Sequence, residues 1–130
     1  MEDHHDAPER RETRRPGSTD LLPERLLERL ARSTDLEPFG RLVEPVAARD
    51  REKGSDLVRT LRVYFAVGAN ASAAADQLFL HRNSMLYRLS RVEELTGLDL
   101  KDPRAGLALR LGLLFLDEER RRLEDANQHS

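Results

Sequence analysis

Asn70–Gly97 reads NASAAADQLFLHRNSMLYRLSRVEELTG, and the fold turns on this stretch. It contains two short helical patterns separated by only a few residues. The first, ASAAADQLF, is built almost wholly from small side chains, with Ala74, Ala75 and Leu78 forming a narrow apolar stripe. Asn70 is placed to cap it, because a short polar side chain can accept one of the unpaired N–H groups of a first turn. Phe79-Leu80-His81 makes the turn. A longer helix is expected from about Arg82 to Leu95, closed by Gly97 at its left-handed C-terminal position. Small residues on the first helix let the second cross it closely, with Leu78 and Leu80 filling the core beneath the turn.

At about 100° per residue, Met85, Leu86, Leu89 and Val92 share one arc of the second helix, the side that meets the alanines. Asn83, Ser84, Tyr87 and Arg91 fall opposite, with Arg88 at the flank. Between His81 and Val92 there are three arginines and no acid, a local charge of +3 in a chain whose formal net charge is −2. This pattern suits a helix-turn-helix, in which the second helix enters the major groove of DNA by its N-terminal residues. Arginine can bond guanine bidentately and asparagine can do the same to adenine, each contributing on the order of 1–3 kcal/mol of discrimination. Hydroxyls such as those of Ser84 and Tyr87 commonly serve phosphate oxygens, which set register. A plain helical bundle, its arginines an ordinary solvated face, fits the same periodicity. The glycine usual in the turn is also missing, with Phe79 in its place.

The rest of the composition narrows the classes. The chain has 130 residues, 38% hydrophobic and 35% charged, which suits one small helical domain with solvated ends. Without cysteine there are no disulfides, no thiolate chemistry and no Cys-based zinc site. The longest charge-free run, Val63–Ala75, is too short to cross a bilayer, and the acidic start MEDHHDAPER is unlike a signal peptide. A cytoplasmic protein without membrane attachment is expected.

Residues 1–19 mix both charge signs and hold almost no large aliphatic side chain, the composition of a disordered tail. Residues 20–53 form a helical segment in two parts. DLLPERLLERLAR places Leu22, Leu26, Leu27 and Leu30 at helical spacing with Pro23 in the first turn, and PFGRLVEPVAARDREKG is broken or kinked around Pro45. Residues 54–124 form the helix-turn-helix domain, and 125–130 a disordered end. Within the domain, Ser55 is a candidate N-cap and Asp56 favours the positive end of the helix dipole. Leu57, Val58, Leu61, Tyr64 and Phe65 then recur on one face until Gly68 ends the helix. Asp102-Pro103 opens a final helix. Its leucines from Leu107 to Leu116 make an apolar surface too broad for one supporting contact. No stretch shows strand alternation, so the fold class is all-α.

LVRTLRVYFAVGANASAAADQLFLHRNSMLYRLSRVEELTGLDLKDPRAGLALRLGLLFL, Leu57–Leu116, resembles the C-terminal helix-turn-helix domain of PucR/CdaR-type bacterial transcriptional regulators. Its most specific part is LFLHRNSMLYRLSRVEELTG: the His-Arg-Asn run, then Tyr-Arg-Leu, then the Leu-Thr-Gly end. Phe79 in the turn also resembles this family, and Ser84 keeps a hydroxyl where threonine is more usual. LLPERLLERLA and RLVEPVAARDREKGSDLVRTL are more loosely similar to the stretch preceding the domain. The resemblance implies a small helical domain with a Fis-like helix-turn-helix core that binds promoter DNA, usually as an associating pair. It carries DNA-contacting roles to His81, Arg82, Asn83, Ser84, Tyr87 and Arg88, to which the projection adds Arg91.

Other functions have weaker support in the sequence. An enzyme would need a nucleophile with a base, a phosphate cradle or paired carboxylates, and none is evident. His4, His5 and His129 lie in the tails and His81 has no partner at ligand spacing, so neither metal nor cofactor is expected. The chief alternative is a protein-interaction module that keeps the two-helix unit as a scaffold. The partners expected are double-stranded DNA and a second copy of the chain, paired through the C-terminal helix.

Overall fold

The computed structural model describes residues 22–128. The tail expected over residues 1–19 lies outside them, as do the last two residues of the expected disordered C-terminus. Among the described residues six α-helices follow in order: α1 Pro23–Ala31, α2 Glu37–Lys53, α3 Leu57–Ala66, α4 Ala71–Leu78, α5 Arg82–Thr96 and α6 Pro103–Gln128. A 3₁₀ turn, Thr34–Leu36, joins α1 to α2. No strand occurs among the described residues, and the fold is all-α.

Local chemistry explains most of the helix ends. Pro23 opens α1, where a missing N–H costs nothing. Asn70 caps α4, its side-chain oxygen accepting the Ala73 N–H at 2.9 Å. Gly54, Gly68 and Gly97 take the left-handed conformation just beyond α2, α3 and α5. The start of α3 departs from the sequence expectation. Ser55 does not cap it; the Asp50 carboxylate of α2 accepts the N–H groups of Leu57 at 2.8 Å and Val58 at 2.9 Å. Ser55 instead donates its hydroxyl to the same carboxylate at 2.6 Å. A side chain from one helix thus caps the next and pins the corner between them.

The helix α2 runs without a break through Pro45, which is exposed, where the sequence suggests a break or a kink. Its inner face explains the continuity. Val43, Val46 and Ala47 lie in one buried cluster with Leu61 of α3, Ala74 and Ala75 of α4, Met85, Leu89 and Val92 of α5, and Leu109 and Leu113 of α6. This core spans both sides of the boundary drawn at residues 53 and 54. Two glycines let α2 and α6 approach: a Cβ on Gly112 would stand 2.3 Å from the Phe39 carbonyl oxygen, and one on Gly40 would strike the Phe115 ring. The leucine-rich face of α6 is therefore largely covered within the chain, and of the leucines from 107 to 116 only Leu107 stands well out, at 56% exposure. The helix also continues to Gln128, past the expected domain end at residue 124. Arg62 of α3 pairs with Asp117, tying α6 to the three-helix unit that carries the site.

Candidate nucleic-acid interface

Helices α3, α4 and α5 form a compact unit, with Ala74 and Ala75 fully enclosed where α4 meets its neighbours. The tight turn between α4 and α5 is a Schellman motif. The Leu80 N–H reaches the Ala75 carbonyl at 2.8 Å and the Phe79 N–H reaches that of Asp76 at 3.2 Å. Leu80 packs against the core, as the sequence suggests. Phe79 occupies the left-handed position of the motif, with φ 58°.

His81 is the N-cap of α5. Its ring Nδ1 accepts the Asn83 N–H at 3.2 Å, so this histidine holds the first turn in shape. Met85, Leu89 and Val92 anchor the inner face. Leu86, placed on that face by the projection, is instead 42% exposed at its rim. His81, Arg82, Asn83, Ser84 and Tyr87 are all exposed, so five of the seven expected residues gather at the leading end of the helix. Arg82 makes no ion pair among the described residues. Beside this end lies an open groove of about 550 Å³, lined by Gly54–Leu57 on one wall and by Leu80, Asn83, Ser84, Tyr87 and Arg88 on the other.

The remaining two arginines are held. Arg88 is half-buried, and its Nη1 donates to the Thr60 hydroxyl at 2.9 Å. That hydroxyl in turn donates to the Asp56 carbonyl at 2.7 Å. Arg91 donates from Nη2 to the Tyr87 hydroxyl at 2.8 Å and from Nη1 to Glu94 at 2.7 Å. Its guanidinium lies over the Tyr87 ring, 5.3 Å from the centroid. The bond to Tyr87, reinforced by the Glu94 charge, pushes the Arg91 pKa above its ordinary value. Its Nε is buried with no acceptor among the described residues. The +3 of the sequence is therefore divided: one free cation at the tip, one hydrogen-bonded to a hydroxyl, one neutralised by a neighbour.

Sequence reasoning missed Thr60 and Glu94, which hold these arginines. Thr60 is fully buried among Leu57, Leu61 and Tyr64, and a hydroxyl in that apolar stripe was a readable sign of a polar partner. Glu94 lies one turn after Arg91, the spacing of a helical ion pair.

Residues 57–115 match the PucR C-terminal helix-turn-helix domain. The chain is 35% identical over 72 residues to the proline-responsive transcriptional activator PutR of Bacillus subtilis, covering 55% of this chain and 18% of that protein. It is 38% identical over 92 residues to the purine catabolism regulatory protein of the same organism, covering 71% of this chain and 17% of the relative. With the carbohydrate diacid regulator of Escherichia coli, identity is 41% over 80 residues, 61% of this chain and 20% of the relative. The chain thus spans a fifth or less of these regulators' length. No solved structure matches significantly. Among the described residues, no helix is long and apolar enough to cross a membrane.

Proposed function

With residues 57–115 identified as a PucR-type C-terminal helix-turn-helix domain, we propose that this chain binds double-stranded DNA in a sequence-specific way and regulates transcription. In this reading α5 enters the major groove by its first turns. Arg82 and Asn83 face base edges, and Ser84, Tyr87 and His81 face the flanking phosphates. Arg88 supports the groove wall through Thr60, and Arg91 stands at the rim. The unit spans roughly residues 54–124, buttressed by α1 and α2.

The observation that carries the reading is the exposed leading end of α5. Arg82, Asn83 and Ser84 project from a helix whose opposite face is clamped by Met85, Leu89 and Val92, and Tyr87 is exposed beside them in its bond to Arg91. Such an end presents hydrogen-bonding groups without cost to the core. One helix offers few base contacts, fewer than typical specific affinity requires, so two copies on an inverted repeat are proposed. The similar regulators of Bacillus subtilis and Escherichia coli named above support a role in transcription.

Selection of bound duplexes from a random pool tests function and symmetry together. Enrichment of an inverted repeat is expected, with affinity falling steeply as salt rises. No enrichment and a flat salt response would refute the proposal.

A second reading, a protein-interaction module, draws support from α1 and its N-cap, where Leu22, Leu26, Leu27 and Leu30 are all exposed. Arg82→Ala separates the two. It weakens duplex binding under the first reading and leaves partner binding intact under the second.

A further inference from the structure

Among the described residues, four α-helices end on a residue in the left-handed conformation. Three use glycine: Gly54 at φ 67°, Gly68 at φ 80° and Gly97 at φ 73°. The fourth, α4, uses Phe79 at φ 58° and ψ 42°. Glycine occupies such positions without steric penalty, whereas a residue bearing a Cβ is strained there. The Phe79 side chain also gains nothing from the fold. The residue is 94% exposed, and the apolar contact beneath the turn is made by Leu80. Phe79 is thus strained in its backbone and unfavourably placed in water, with no compensation among the described residues.

Its position says where compensation lies. Phe79 stands two residues before the His81 cap, beside the end of α5 that carries Arg82 and Asn83. Whatever surface this end meets also lies within reach of the ring. We propose that Phe79 is a duplex-contact residue, its ring packing on apolar surface at the edge of the major groove. Two sources of such surface exist there, the C5-methyl of thymine and the carbons of deoxyribose. This inference rests on the DNA-binding reading and extends it to a residue outside the polar set: arginine and asparagine supply hydrogen bonds, and Phe79 supplies desolvation next to them.

The strain makes the test discriminating. Phe79→Gly relieves the left-handed penalty and removes the ring, so stability and binding move in opposite directions. With the full chain and the duplex that the wild type enriches from a random pool, F79G is expected to melt at the same or a higher temperature. It is expected to bind roughly tenfold more weakly, the scale of one buried apolar group. Phe79→Asn, also suited to the left-handed region, should repeat the loss, and Phe79→Tyr should bind within about threefold of wild type. Replacing thymine by uracil in the duplex distinguishes the two surfaces. A loss confined to chains carrying the ring assigns the methyl, and equal binding of both duplexes by each chain, with F79G still the weaker, assigns deoxyribose. Wild-type and F79G chains binding one duplex equally, with steep salt dependence, would overturn the Phe79 contact and leave the DNA reading standing. A wild type that enriches no duplex would remove both.

Discussion

The first and third turns of α5 carry similar side chains and use them differently. At the first turn, Arg82, Asn83 and Ser84 project outward, and the bond from the Asn83 N–H to the His81 ring is spent on shaping the helix end. At the third, Arg91 is clasped between Tyr87 and Glu94. Arg88, between them, is drawn against Thr60 of α3. The difference comes from surroundings. The leading end stands clear beside an open groove, and the trailing turns lie along other side chains that compete for the same donors. A cation already paired must exchange one partner for another before it can hold a phosphate, whereas a free one exchanges only water. The proposed duplex contact is therefore centred on the tip.

Removing the platform common to both turns should have the largest effect. Met85→Ala, at a fully buried site, is expected to cost about 2–5 kcal/mol of stability. Chemical denaturation measures it, and a change below about 1 kcal/mol would mean that α5 is not anchored as described. Arg82→Ala strikes the tip alone. It should cost about 1–3 kcal/mol of duplex affinity, read by fluorescence anisotropy, while the melting temperature stays put. Unchanged binding would erase the proposed difference between the turns.

Arg88→Ala breaks the bond to Thr60, whose hydroxyl keeps the Asp56 carbonyl. A loss of about 0.5–1.5 kcal/mol in stability is expected, with a smaller binding loss than Arg82→Ala. The reverse ranking would move the binding centre along the helix. Glu94→Gln is the mildest change. It releases Arg91 from an exposed ion pair and should shift stability by less than about 0.5 kcal/mol. Duplex affinity should rise by a few tenths of a kcal/mol, with the salt slope steeper by up to about one. An affinity loss would show that the clasped posture is itself the binding one.

Legibility in the sequence followed the range of the interactions. Gly68, Asn70 and Gly97 act within one helical turn, so the end of α3, the start of α4 and the end of α5 could be read directly. The cap of α3 could not, because it comes from Asp50 on another helix. Pro45 suggests a break or a kink because proline removes a local bond; α2 is not broken there, and Val43, Val46 and Ala47 hold its inner face in the core. Leu86 shows the limit of a projection, which gives direction around an axis but not how far a neighbouring helix reaches. The broad leucine face of α6 is answered largely by α2 of the same chain, an answer that the spacing of leucines does not contain.

From the sequence alone came the all-α class, the two-helix unit with its close alanine contact, the domain family and the seven polar residues around α5. These depend on periods and caps, set by a few consecutive residues. The tertiary structure decided which of the seven stand free, which are held by Thr60 or Glu94, and how strained and exposed Phe79 is. A side chain's freedom depends on what packs beside it, and that is settled only when distant segments meet.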